Sequence, residues 1–224
     1  LKILLQNKYI YKIGSSAILI INLIKNILNI YDDNMYKLME ANMKLQVLVS
    51  CMHQQDYSLL EKMNIQTDAI IINQCDINKF EDIKYRNNLV KFISLNERGV
   101  GKSRNNALLR ADSDICLFAD EDVSYVDGYE DIIIKAFKKN PDADIILFNL
   151  ESTNKQRPIY QITKEKRVRK YNFLKYGTVR IAAKVSSLRK ANVHFSLLFG
   201  GGTKYGSGED SLFLKDCISR GLKI

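Results

Sequence analysis

The chain has 224 residues, 46% of them hydrophobic, and two prolines, which allows one good-sized domain with a single core and argues against a long disordered tract. A formal charge of +9 makes the surface attractive to anions, whether nucleotide phosphates, nucleic acid or an acidic membrane leaflet, and sign alone does not choose among them. Cys51, Cys75, Cys116 and Cys217 form no C-x-x-C pair, which argues against a zinc or thioredoxin-type motif and fits a reducing cytoplasm.

Ile13 to Ile30 is largely apolar but is not a membrane span of ~20 uninterrupted residues. Ala17, Ile20, Ile21, Ile24, Ile27, Leu28 and Tyr31 follow a helical stripe, while Asn22, Lys25, Asn26 and Asn29 take the other face. This predicts an amphipathic helical extension over residues 1–44 that packs on the domain or a partner chain, as in a homo-oligomer, or lies on a membrane surface. No signal-peptide pattern precedes it, and a chain that begins at Leu1 reads as a fragment.

From Leu45 onward, short apolar runs alternate with helix-like segments, the pattern of an α/β fold with a mostly parallel, Rossmann-like sheet flanked by helices over 45–224. Strands are expected at Leu45–Cys51, Ala69–Asn73, Val90–Leu95, Asp114–Ala119 and Ala143–Leu150, with helices at Tyr57–Met63, Gly101–Ala111 and Tyr129–Lys139. The basic run from Lys164 to Lys175 reads as a solvated helix face, or as a surface for anionic lipid. Thr178–Ala183 is a further expected strand, and His194 is expected in another between Val193 and Phe195. A short helix at Lys184–Ala191, a glycine cluster at 200–208 and a helix at Glu209–Ser219 complete the chain. In such sheets ligands bind beyond the carboxyl ends of the strands, so the chemistry is sought there.

Three segments at those ends carry chemical residues. Phe118-Ala119-Asp120-Glu121-Asp122 runs an apolar strand into three carboxylates; Asp120 and Asp122 fall on one side of an extended chain and offer hard oxygens to Mg²⁺ or Mn²⁺, although an acidic turn before the next helix has the same pattern. Gly208-Glu209-Asp210 opens an apolar helix, either as favourable dipole placement or as a base on a rigid support. Gly99-Val100-Gly101-Lys102-Ser103-Arg104 imitates a phosphate loop, but Asn96 stands where the first glycine belongs, and Lys102 and Arg104 read better as groups that reach a nucleotide.

Taken in order, the strand ending at Ser50, the strand ending near Asp76, Gly101-Lys102-Ser103-Arg104-Asn105, Asp120-Glu121-Asp122 and Gly208-Glu209-Asp210 resemble family 2 glycosyltransferases of the GT-A fold. Phe199 to Phe213 is similar to bacterial members that build capsular or other surface polysaccharides. The resemblance implies an inverting, metal-dependent transfer from a UDP-type nucleotide sugar to a saccharide or lipid-linked acceptor. It also implies roles: Asp122 for the Mn²⁺ or Mg²⁺ ion, Asp120 for the donor ribose or the metal, Asp210 for the base with Glu209 beside it, and Ser50, Asp76 and Arg104 for the nucleoside. Asn73-Gln74-Cys75-Asp76 departs from the Asp-Asp-Gly-Ser run of many members. The expected location is the cytoplasm or the inner face of its membrane. Two alternatives stay open, a non-catalytic basic binding module and a phosphate-loop NTPase; three carboxylates at a strand end oppose polyanion binding, so no nucleic-acid partner is expected.

Overall fold

The computed structural model describes residues 43–152, 156 and 159–224; the helix expected over 13–31, and with it most of the amino-terminal extension, lies outside them. The strands are β1 (Leu45–Met52), β2 (Asp68–Gln74), β3 (Lys79–Tyr85), β4 (Asn88–Leu95), β5 (Ile115–Asp120), β6 (Ile145–Leu147) and β7 (Ile181–Lys184). They form one sheet in the order β3-β4-β2-β1-β5-β7-β6. Its centre, β4-β2-β1-β5, is parallel, and β3 and β7 run antiparallel to their neighbours. The helices are α1 (Ser58–Lys62), α2 (Val100–Arg110), α3 (Tyr129–Lys139), α4 (Val185–Ala191) and α5 (Glu209–Ser219).

The parallel strands are apolar on both sides because helices cover both faces. Leu48, Ile70, Ile72 and Phe118 point to the face packed by α2, α4 and α5. Val47, Val49, Ile71 and Ala119 point to the opposite face, where Leu59 and Leu60 of α1 and Ile133 and Phe137 of α3 cover them. Gln46 is buried within β1 yet satisfied, because its amide donates to Asp112 Oδ1 at 3.0 Å and accepts the Asp112 N–H at 3.1 Å.

Five features differ from the sequence reading. β3 was not expected, since Lys79, Glu81, Asp82 and Lys84 hide its alternation; it is an edge strand joined to β4 through Arg86 and Asn87, both at positive φ, which is the backbone of a tight hairpin. β6 covers only three residues of the expected 143–150. β7 begins at Ile181 after a 3₁₀ turn, Thr178–Arg180, because buried Arg180 turns its guanidinium onto the carbonyls of Phe148 (3.1 Å) and Tyr160 (2.6 Å). The basic run at 164–175 is not an α-helix: Val168 is buried and donates its N–H to the Ile224 carbonyl at 2.9 Å, and only Phe173–Lys175 makes a 3₁₀ turn. His194 lies in no strand; the Asn105 side chain holds both the N–H and the carbonyl of Phe195, at 2.8 and 2.9 Å, in place of a ladder.

Candidate active site

β1 and β5 end side by side with Ser50 directly opposite Asp120. Both sit two residues beyond Leu48 and Phe118, so their side chains face α2. Ser103 of α2 donates its hydroxyl to Ser50 Oγ at 3.0 Å, and one residue later Arg104, with a side chain 4% exposed, reaches three carboxylates. Its Nη2 donates to both oxygens of Asp120 (2.9 and 3.1 Å), and its Nη1 to Glu209 Oε1 and Asp210 Oδ1, each at 3.1 Å. The sequence brings these groups together from four elements, β1, β5, α2 and α5.

An aromatic floor holds the guanidinium. Phe195 lies 5.4 Å from Arg104 Cζ, stacks on Phe213 at 4.0 Å and meets Phe118 edge-on at 5.2 Å. When all are ionised, one guanidinium faces three carboxylates, leaving the cluster negative. Burial pushes the Asp120 carboxyl above the usual range; Arg104 opposes that rise, while Asp122 and Asp210 add to it. Burial also pulls on Arg104, but Asp120, Asp210 and Glu209 outweigh it and hold its proton more tightly than usual.

The two acids at the start of α5 have different surroundings. Glu209 is enclosed beneath Gly200, where an added Cβ would stand 2.7 Å from Glu209 Cδ; a φ of 103° there also favours glycine. Asp210, with a side chain 31% exposed, accepts a hydrogen bond from the Thr178 hydroxyl. On the carboxylate turn, Glu121 accepts the Met52 N–H at 3.2 Å and the Gln54 amide at 2.7 Å, tying that turn to the end of β1. Asp122 is exposed, and its side chain forms no hydrogen bond or ion pair among the described residues.

Not every expected residue joins this cluster. Asp76 is 83% exposed and paired with Arg98 at 2.9 Å. Lys102 sits two positions before Arg104, about 200° around the helix, and pairs with Glu97 at 3.3 Å on the outer side of α2. The turn that imitates a phosphate loop is closed by packing: the Val100 N–H donates to the Gly201 carbonyl at 3.0 Å, and Gly101 lies flush against Ser196. It presents no open cradle for phosphate.

No set of three or more His, Cys, Asp or Glu side chains is gathered as a metal cage among the described residues. Mg²⁺ and Mn²⁺ beside a nucleotide need less, since one or two carboxylates suffice when substrate phosphates complete the shell. Asp122 has that character, whereas both Asp120 oxygens face Arg104.

Sequence reasoning missed Thr178, Glu121 and the Asn105 clamp. Thr178 stands 32 residues from Asp210, and no local pattern links the two. Asn105 follows Arg104 directly, but its partner lies 90 residues away.

The model of one family, glycosyl transferase family 2, matches residues 57–195. No curated protein matches the sequence. Among solved structures, S. aureus TarS 1-349 in complex with UDP-GlcNAc is similar, with a TM-score of 0.58 and 20% identity over 80% of this chain and 54% of that one. TarS 1-349 alone gives 0.55 and 21% over 78% and 55%, and its complex with UDP gives 0.55 and 22% over 76% and 54%. The chain therefore spans about half the length of the structures it matches, and at this identity the likeness establishes the fold.

Proposed function

Because the chain belongs to glycosyl transferase family 2 and has a GT-A-like fold, we propose that it transfers a sugar from a UDP-sugar to an acceptor hydroxyl with inversion, in the building of surface polysaccharide or glycoconjugate. The observation that carries this reading is the convergence of Asp120, Glu209 and Asp210 on Arg104 beyond the carboxyl ends of the parallel strands, with Asp122, unpaired among the described residues, close to Asp120 in the chain. The TarS structures that hold UDP-GlcNAc and UDP support a uridine donor.

Asp210 is the base in this reading. It takes the acceptor proton as the acceptor oxygen attacks the anomeric carbon and the bond to the diphosphate breaks. Thr178 fixes its orientation from one side and Arg104 from the other. Glu209 is too enclosed to reach an acceptor and instead holds Arg104. Ser50, and Asp76 further out, line the nucleoside side, and Asp120 bridges Arg104 and the donor ribose. Asp122, with Asp120 beside it, would hold Mn²⁺ or Mg²⁺, which there neutralises charge on the departing diphosphate. The acceptor is a saccharide or a lipid-linked saccharide, and the four unpaired, buried cysteines suit work in the cytoplasm.

The test is a thermal-shift series with UDP, GDP, CDP, ADP and ATP, each with Mn²⁺ and with EDTA. UDP at about 100 times its dissociation constant contributes roughly 2.7 kcal/mol, and a domain of this size should then melt about 5–10 °C higher. The shift should vanish in EDTA and in Asp122→Ala. A shift with ATP alone would return the phosphate-loop reading, and a UDP shift unchanged in Asp122→Ala would remove the metal role of that residue.

A further inference from the structure

The outer side of α2 and the loop that leads into α5 form a second surface, apart from the carboxylate cluster. A groove of about 550 Å³ runs between α2 and α4. Leu109, 74% exposed, lines one side and Leu197, 61% exposed, the other; Leu198, 60% exposed, follows on the same loop. Three leucines presented to water this way are not core residues left over by the fold, because the helix they flank buries Ala107 and Leu108 at 0% and 5% exposure. Exposed apolar side chains clustered on a polar surface mark a place of contact.

The segments that carry them are basic. From Arg98 to Ala111 and from Lys184 to Gly208 the chain contains no Asp or Glu, while it carries Lys102, Arg110, Arg189, Lys190 and Lys204. Two acids flank these segments: Glu97 is enclosed beneath Lys102 and Asn106, and Asp112 is paired with Lys91 at 2.6 Å and accepts the Gln46 amide. Arg189 and Lys102 line the groove itself. On the same loop Lys204 lies over the ring of Tyr205, which is 46% exposed and stacked on Phe199. Leucine, a ring with a polar tip and a ring of cations together suit the boundary between acyl chains and acidic headgroups.

We propose that this face docks on an anionic lipid bilayer, with Leu109, Leu197 and Leu198 entering the headgroup boundary and the surrounding cations meeting acidic headgroups. A second copy of the chain would bring one positive face against another and is disfavoured by that repulsion. A nucleic acid would use the cations but leave the leucines against phosphate. The docking loop turns Leu197 and Leu198 outward and, two residues on, lays Gly200 against Glu209. A bilayer held here would therefore lie beside the α5 end of the cluster. The docking itself does not depend on the reaction proposed above.

Co-sedimentation of the full chain with vesicles tests it, comparing phosphatidylcholine alone with phosphatidylcholine containing about one-third phosphatidylglycerol; headgroup attraction of roughly fivefold per basic side chain should separate the two. Binding should appear with the acidic vesicles, weaken in high salt, and fall at least about tenfold in the triple variant Leu109→Ser, Leu197→Ser, Leu198→Ser. A variant with Lys164, Lys166 and Arg167 changed to Ser should bind as the wild type does. The melting temperature of each variant, with and without UDP and Mn²⁺, shows whether the fold and the nucleotide site persist. Undiminished vesicle binding by a folded leucine variant would overturn the proposal, as would binding to duplex DNA in place of vesicles or no binding to either vesicle.

Discussion

Asp120 and Asp210 share one guanidinium: Arg104 Nη2 lies 2.9 and 3.1 Å from the Asp120 oxygens, and Nη1 lies 3.1 Å from Asp210 Oδ1. The side chain between them is 4% exposed, so removing it leaves three carboxylates, 11% to 38% exposed, without the cation they share. Losing one partner of a buried ionic group costs about 3–5 kcal/mol, and at about 2–4 °C per kcal/mol the melting temperature of Arg104→Ala should fall by roughly 6–20 °C. Arg104→Lys should recover only part of this, because an ammonium cannot present two nitrogen edges to acids on opposite sides. Wild-type melting in the alanine variant would mean that the acids do not depend on Arg104.

Asp120 gives the cluster a measurable pH dependence. Burial holds its carboxyl above the ordinary value, so the folded protein keeps that proton to higher pH than the unfolded chain, in which it leaves near about 3.9. In the window between the two values the native state binds more protons than the unfolded state. This group's contribution is therefore fully present below the unfolded value and is lost as pH rises through the folded one. Asp56, Asp112 and Asp127, whose values are lowered by hydrogen bonds, slope the other way, so the wild type alone would hide the effect. The unfolding free energy of the wild type minus that of Asp120→Asn should fall as pH rises above about 4. A rising difference would mean that Arg104 outweighs burial at this carboxyl.

What the sequence disclosed and what it hid follow from the range of the interactions. β1 and β2 are legible because burial on both faces requires continuous apolar runs such as Ala69 to Ile72. β3 was hidden because an edge strand with one face in water and the other only half-covered tolerates Asp82 and Lys84 on the first and Lys79 and Glu81 on the second. Asp120, Glu209, Asp210 and Arg104 were legible as candidates from local motifs. Their mutual pairing was not, since Arg104 meets partners 16, 105 and 106 residues away and only the folded sheet joins them. The basic run at 164–175 misled because composition reports exposure, whereas the Val168 backbone bond to Ile224 sets the path of the chain.

Two glycines of similar appearance in the sequence should respond differently to alanine. A Cβ at Gly101 would drive into the Ser196 carbonyl, a backbone atom on the loop that Asn105 pins at Phe195. The methyl can be accommodated only by moving that loop, and overpacking of this kind costs about 1–3 kcal/mol. Gly201 has open space around the same added atom and no positive φ, so Gly201→Ala should change stability by less than about 0.5 kcal/mol. Denaturant melts of the two variants check the pair, and equal stability would mean that the α2 to loop contact yields more readily than its geometry implies.

In the proposed reaction Thr178 positions Asp210, and its effect should differ from that of the proposed base. Its side chain is buried at the 3₁₀ turn before β7, and its hydroxyl donates to the same Oδ1 that Arg104 holds. Two donors on one oxygen leave the other, Oδ2, turned toward Gly177, where a Cβ would come within 3.4 Å. A side chain at position 177 would therefore crowd the free oxygen of the proposed base. Thr178→Val keeps the shape and removes the donor. A hydrogen bond to a charged group is worth about 1.5–3 kcal/mol, so kcat should fall by roughly 10- to 100-fold. The KM for the donor sugar should hold, because Thr178 touches Asp210 rather than the nucleotide side of the cluster. Thr178→Ser should restore most of the rate, which a merely structural role for the threonine methyl would not permit. Asp210→Asn should lose about 10²- to 10⁴-fold in transfer while still melting higher with UDP and Mn²⁺. If Thr178→Val raised KM and left kcat unchanged, the hydroxyl would be serving the donor pocket, and the base would have to be sought away from the start of α5.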